Sequence, residues 1–202
     1  NLSLKNVGSD ISQEITASIT SSDPYIESFQ NNIDISFPDI PVDGTAEVTG
    51  QFNIIVKDSI PDQHMVAFAI TLTDNSVETK KVYETTKTVT LSAPMLELSD
   101  LLVMDDSESN NNGLLDPGET ATLKVSISNV GHSQVSTTTY LSFSTKNPFL
   151  SIFANKDVLG YIQPDGTATA EFIVEADANT PQGTTVDVTI NAEGGETPLY
   201  LD

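Results

Sequence analysis

Residues 105–119 read D-D-S-E-S-N-N-N-G-L-L-D-P-G-E, and in this 202-residue chain they are the stretch whose residue types and spacing could do chemistry. Oxygen-bearing side chains recur at alternate positions, Glu108, Asn110 and Asn112, and Gly113 follows at once. Asp116 and Glu119 stand three and six residues past that glycine. Laid over the twelve-residue calcium loop, residues 108–119 put Glu, Asn and Asn at positions 1, 3 and 5, Gly at 6, Asp at 9 and Glu at 12. Leu114 falls where such loops offer a backbone carbonyl, and Leu115 where they carry an apolar anchor. Ca²⁺ is a hard cation that takes about six to eight oxygens from a tight, flexible loop, which is why these residue types suit it. Asp is the usual first residue, so the first ligand stays open between Glu108 and Asp106, with Asp105 behind it. The bland alternative is an acidic Asn/Gly surface turn that binds nothing. Alternate oxygens leading to a glycine, closed by a Glu, favour Ca²⁺ as the ligand.

The elements around this loop are strands. After Glu119, Ala121, Leu123, Val125 and Ile127 alternate with Thr122, Lys124, Ser126 and Ser128. That two-residue period is a strand with one buried face, so the loop is not an EF-hand. Further strands are expected from Leu2 and Leu4 to Asn6-Val7-Gly8, and over residues 14–20, 33–37, 46–56, 65–72 and 79–91, with a leading strand over 95–104. Turn signals at Ser22-Asp23-Pro24, Pro41-Val42-Asp43-Gly44 and Ile60-Pro61-Asp62 separate them. No stretch holds a 3.6-residue apolar period, so helix content should be small.

The text also repeats. Asn6-Val7-Gly8 returns as Asn129-Val130-Gly131, and Asp23-Pro24-Tyr25-Ile26 as Asn147-Pro148-Phe149-Leu150, with Phe29 answering Phe153. Asp43-Gly44-Thr45-Ala46 returns as Asp165-Gly166-Thr167-Ala168, and Asp58 with Pro61 as Asp177 with Pro181. Several turn motifs in one order at a near-constant offset mark a tandem repeat. The fold expected is all-β: two tandem immunoglobulin-like β-sandwich domains, residues 1–93 and residues 94–202, joined near Pro94. The second carries the calcium loop. The first begins at the equivalent of Lys124, so its first strand is missing from the repeat or lies upstream.

Composition narrows the function. Formal net charge is −21, and every basic residue is Lys. Such a chain repels phosphate, so no nucleic acid and no anionic membrane surface is expected as a partner. No apolar run approaches ~18 residues, so no membrane span is expected. With no cysteine there is no disulfide, thiolate site or thiol nucleophile.

Catalysis is not expected. His64 and His132 are the two near-neutral bases, and each follows a turn, which suits a solvated loop histidine. Paired carboxylates could be found among 29 acids, but a sugar cleft normally presents aromatic platforms and Trp is absent. Tyr25, Tyr140 and Phe149 could face a protein or carbohydrate ligand; aromatics at strand period are more often core. Asp58-Ser59-Ile60 fits a three-residue bacterial O-glycosylation pattern that chance alone would supply in a chain rich in Asp and Ser.

The acidic loop ending Gly-Leu-Leu-Asp-Pro-Gly-Glu-Thr at 113–120, the strand closing on Asn129-Val130-Gly131, Asp165-Gly166 and Thr180-Pro181-Gln182-Gly183 together resemble a family of secreted and surface proteins of Bacteroidetes. The resemblance is to immunoglobulin-like modules found C-terminal to gingipain-type cysteine peptidase domains and in adhesion-type proteins. It covers the second domain fully and the first without its start. It implies an extracellular or cell-surface bacterial module, with other domains of the same exported protein as partners. The function expected is a non-catalytic, calcium-stabilised accessory or spacer pair. The alternative is an adhesin-like module that binds a surface protein or glycan.

Overall fold

The computed structural model describes residues 1–30, 34–50, 52–75, 80–105, 110–135, 138–194 and 197–199. Every regular element among them is a strand, as the two-residue periodicity requires. The chain divides into two compact units, Asn1–Leu91 and Ser92–Asp202. Both are β-sandwiches.

Unit 1 contains β1 (Leu2–Lys5), β2 (Ile15–Thr20), β3 (Ile26–Gln30), β4 (Asp34–Ser36), β5 (Thr45–Val48), β6 (Asn53–Val56), β7 (His64–Asp74) and β8 (Lys81–Leu91). One sheet runs β4-β2-β7-β8; the other side is made of the pairs β1-β5 and β3-β6. Ile15, Ala17 and Phe37 come from the first side and Ala46 from the second. These and Ile40 form a core that Leu2, Leu4, Val48, Phe52 and Leu72 enclose.

Unit 2 contains β9 (Leu96–Asp105), β10 (Thr120–Asn129), β11 (Thr139–Thr145), β12 (Leu150–Ile152), β13 (Lys156–Gly160), β14 (Thr167–Ala176), β15 (Val188–Gly194) and β16 (Thr197–Leu199). Its sheets run β12-β14-β10-β9 and β13-β11-β15-β16. Alternate residues of β10 are buried along its whole length. They join Leu141, Phe143, Phe172 and Val174 in a core drawn from both sheets. The Phe143 and Phe172 rings stack there with centroids 5.1 Å apart. Burying a ring or branched side chain of this kind is worth roughly 1.5–3 kcal/mol.

The strand orders of the two units superimpose. β1 answers β10, β2 β11, β3 β12, β4 β13, β7 β15 and β8 β16, while β5 and β6 together answer β14. Registers agree as well: Lys5 opposes Thr45 and Leu4 opposes Ala46, as Ser128 opposes Thr167 and Ile127 opposes Ala168. The one strand expected over 46–56 is two strands, divided around Gly50, whose φ is +65°. A strand cannot carry that backbone through without a break. β9 is the one strand of unit 2 without a counterpart among the described residues of unit 1.

Each unit is closed at the same point by a buried asparagine. Asn129 Nδ2 donates to the carbonyls of Ser133 (2.9 Å) and Ile162 (3.1 Å), and its Oδ1 accepts from Gly131 N (3.1 Å). Asn6 Nδ2 donates to those of Asp10 (2.7 Å) and Ile40 (2.9 Å), and its Oδ1 accepts from Gly8 N (2.9 Å). Asn129 makes one bond more: Oδ1 also accepts from Met95 N at 3.1 Å, at the entry to β9. Side chains that satisfy several buried backbone groups at once leave each of them orphaned when removed, at about 1–3 kcal/mol per group. Asn129→Ala should therefore destabilise the protein by about 3 kcal/mol or more, and Asn6→Ala by somewhat less. Urea unfolding monitored by circular dichroism checks this; a cost under about 0.5 kcal/mol for both would show that the carboxamides do not close the units.

Candidate metal centre

The loop between β9 and β10 turns twice through left-handed backbone, at Asn111 (φ 55°) and Gly113 (φ 74°). Asx turns set the spacing between: Asn110 Oδ1 accepts from Asn112 N at 3.0 Å, and Asn112 Oδ1 accepts from Leu114 N at 2.7 Å. These turns leave both carboxamide nitrogens aimed at Asp116. Its Oδ2 receives Asn110 Nδ2 at 2.7 Å and Asn112 Nδ2 at 2.8 Å. The two amides, Asn110 first, hold the Asp116 carboxyl below its ordinary value of 3.8. Glu119 closes the loop from its far end, accepting Asp116 N on Oε2 (2.9 Å) and Asn110 N on Oε1 (3.3 Å). Leu115 packs against the unit 2 core, while Leu114 is exposed.

The structure thus brings together Asn110, Asn112, Asp116 and Glu119, with Leu114 on the same turn. Asp106 and Glu108 lie outside the described residues, as does the choice between them as first ligand. The donor set is all hard oxygen, the class Ca²⁺ takes. With the Leu114 carbonyl the described residues offer five donor groups, two of them carboxylates. Among the described residues no three His, Cys, Asp or Glu side chains stand together as a metal cluster. The residue types fit a calcium loop, and a full shell would draw on residues before Asn110.

A second polar cluster was not legible from the sequence. Asp23 and His64 are 41 residues apart, and His64 Nε2 meets Asp23 Oδ2 at 2.9 Å. His64 is therefore not a solvated loop histidine: it is partly buried, opens β7, and meets the Tyr25 ring edge-on with centroids 4.8 Å apart. Asp23 also accepts Tyr25 N at 2.9 Å. That backbone bond, then His64, holds the Asp23 carboxyl below 3.8. Unit 2 has the same turn with neutral partners. Asn147 accepts Phe149 N at 2.9 Å, and Thr184 N donates to Pro181 O as His64 N does to Pro61 O. The pair fastens the β2–β3 turn to β7. No nucleophile is bonded to the ring among the printed geometry of the described residues: Ser21 Oγ, nearby in the turn, donates to Ala67 O at 2.8 Å and accepts Asp23 N at 3.2 Å. His132 is an exposed residue whose backbone N donates to Ala93 O at 3.2 Å. Of the candidate ligand-facing aromatics, Tyr25 packs on His64, Tyr140 lies under Lys156 Nζ at 4.6 Å, and Phe149 is half-buried in its turn.

Comparison with known proteins agrees with the architecture of unit 2. The model of the family described as the VWA7 Ig-like domain matches residues 106–200. This establishes an immunoglobulin-like fold, and nothing in the match bears on calcium or on a peptidase. No curated protein matches the chain. A crystal structure of a protein of unknown function from Porphyromonas gingivalis W83 aligns over 93% of this chain and 80% of its own, at 16% identity and a TM-score of 0.27. A superposition that poor bears on neither arrangement nor function.

The depressed carboxyls predict an acid limb of stability. A group whose folded pKa lies below its unfolded one contributes stability above the unfolded value, and loses it as pH falls through the folded pKa. Below pH 3.8 the protein should therefore lose stability through Asp116 and Asp23. Asp116→Asn should flatten part of that limb and Asp23→Asn another part, in unfolding curves taken at successive pH values in chelator. Limbs identical to the parent's in both variants would reject the assignment.

Proposed function

We propose that this chain is a non-catalytic, calcium-stabilised pair of immunoglobulin-like accessory modules from an exported bacterial surface protein. The observation that carries the reading is the loop at Asn110, Asn112, Asp116 and Glu119, whose side chains converge within one turn between β9 and β10. When bound, Ca²⁺ would supply positive charge at that point and tie the strand before the loop to the strand after it. Asp116, Glu119, the side-chain oxygens of Asn110 and Asn112 and the Leu114 carbonyl would hold it, with Asp106 or Glu108 completing the shell. A formal charge of −21 suits a protein that meets millimolar divalent cations outside the cell. The resemblance to Bacteroidetes surface modules supports the same location, with other domains of the exported protein as the neighbours served.

Ligand capture by an adhesin-like module is the second reading. Exposed Phe153, Tyr161 and Ile173 in unit 2 favour it. Scattered surface apolar residues are ordinary, so the spacer reading stands ahead.

Calcium at ~100 times its dissociation constant should stabilise the folded protein by about 2.7 kcal/mol. Calorimetric scans with calcium and with chelator should differ in a transition that belongs to unit 2. Glu119→Gln and Asp116→Asn should each remove most of the difference. Scans that chelator does not move would reject the calcium site. Hydrolysis of a peptide or glycan library by the purified chain, lost on mutating one named acid, would overturn the non-catalytic reading.

A further inference from the structure

The internal repeat makes one copy a template for the other, and the copies differ at a single edge. In unit 2, β10 is paired on both sides, with β14 and with β9. Residues just before β9 seal the Asn-Val-Gly corner. Val130 N donates to Met95 O at 2.8 Å, His132 N to Ala93 O at 3.2 Å, and Asn129 Oδ1 accepts Met95 N. The backbone lies so close that a Cβ on Gly131 would stand 2.4 Å from Ala93 O and Met95 N and 2.8 Å from the Pro94 carbonyl carbon. Gly131 is a glycine because another chain segment passes over it.

In unit 1 the equivalent strand β1 is paired with β5 alone among the described residues. Its corner, Asn6-Val7-Gly8, holds the same internal bonds, and Val7 is 83% exposed. Gly8 has no left-handed φ, and a Cβ there would meet one atom, Asn6 Oδ1, at 3.2 Å. Nothing within unit 1 demands a glycine at that point. A segment crossing it as residues 93–95 cross Gly131 would demand one.

We propose that the β1 edge and the Asn6-Val7-Gly8 corner form a docking site for an extended strand, of the kind this chain lays on β10. The occupant opens on a small residue, proline and an apolar residue, then alternates. Its backbone pairs antiparallel with β1, giving affinity through main-chain bonds, and side chains set the register. Charge fixes one position. Transferring the β9 register, in which Asn129 faces Leu96, Ser128 faces Glu97 and Ile127 faces Leu98, puts Asn6 opposite the leucine, Lys5 opposite the glutamate and Leu4 opposite the next leucine. Lys5 stands where unit 2 has Ser128, and it is exposed. A glutamate facing it makes an opposite-charge cross-strand pair that unit 2 lacks.

The probe is a fluorescent synthetic peptide of residues 92–105, titrated into the full chain and read by anisotropy. Binding at one site per chain is expected. Gly8→Ala should weaken it at least tenfold without moving the melting temperature of the free protein by more than a few degrees, since the methyl clashes with the docked backbone alone. Lys5→Glu should weaken it severalfold, and a peptide with Glu97→Lys should restore affinity to that variant and lose it for the parent. Absence of binding, or binding that neither Gly8→Ala nor the charge exchange alters, overturns the proposal. So does self-association of the chain that Gly8→Ala abolishes in the absence of peptide, because the occupant would then be a second copy.

Discussion

The structure depends on a carboxamide buried where a strand ends. A chain leaving a sandwich must turn across the open end of two sheets, where its backbone groups have lost their ladder partners but are still shielded from water. Asn6 and Asn129 meet that constraint. Each offers two donors and an acceptor from one short side chain, and together these bind the turn residues and the strand opposite. Leu or Val could fill the volume and would leave the carbonyls of Ile40 or Ile162 without their donor. Asp would lack the donors and bury a charge. The corner is thus specified by hydrogen bonding where the rest of the core is specified by volume.

The same economy governs the other turns that recur. Asp43 and Asp165 both take φ 59°, and the following Gly44 and Gly166 both donate to the carbonyl three residues back at 2.9 Å. Ser21 and Thr145 each bridge the β2–β3 type of turn to the neighbouring strand through one hydroxyl, at 2.8 and 2.7 Å. These turns are local, made by residues two or three apart. That is why they survive as readable text while the strands between them have drifted. The repeat was legible in the sequence because turn chemistry tolerates fewer residue types than a half-buried strand face does.

What was not legible lay between residues distant in sequence or in backbone conformation hidden by composition. The stretch from Ala46 to Val56 alternates well enough to read as one strand, and only a left-handed φ at Gly50 shows where it breaks. Asp23 and His64 carry no local signal for each other: Asp23 reads as a turn residue and His64 as the end of a loop, and topology alone brings them to 2.9 Å. The metal-loop residues were legible as a set because their spacing is the motif. Their bonding was not, since nothing in the spacing says that both Asn nitrogens converge on one Asp116 oxygen. The Asn-Val-Gly match was visible as text, but its burial was not, because asparagine and glycine at a strand end also describe an exposed turn.

Asparagine at positions 110 and 112 has a consequence that aspartate would not. Two further carboxylates beside Asp116 would repel one another, and the loop would hold its shape poorly without a cation. The carboxamides instead donate to Asp116 and accept from Asn112 N and Leu114 N, so the turn is closed by its own bonds. Glu119 adds two more backbone N–H groups, from Asn110 and Asp116. A cation arriving at such a loop would meet a shape already made, which lowers the ordering cost of binding. It would also have to compete for Asp116 Oδ2 with two donors already there, which offsets part of that gain. A loop balanced in this way suits a medium where calcium is abundant, because affinity can be modest and the fold still does not depend on the metal to close.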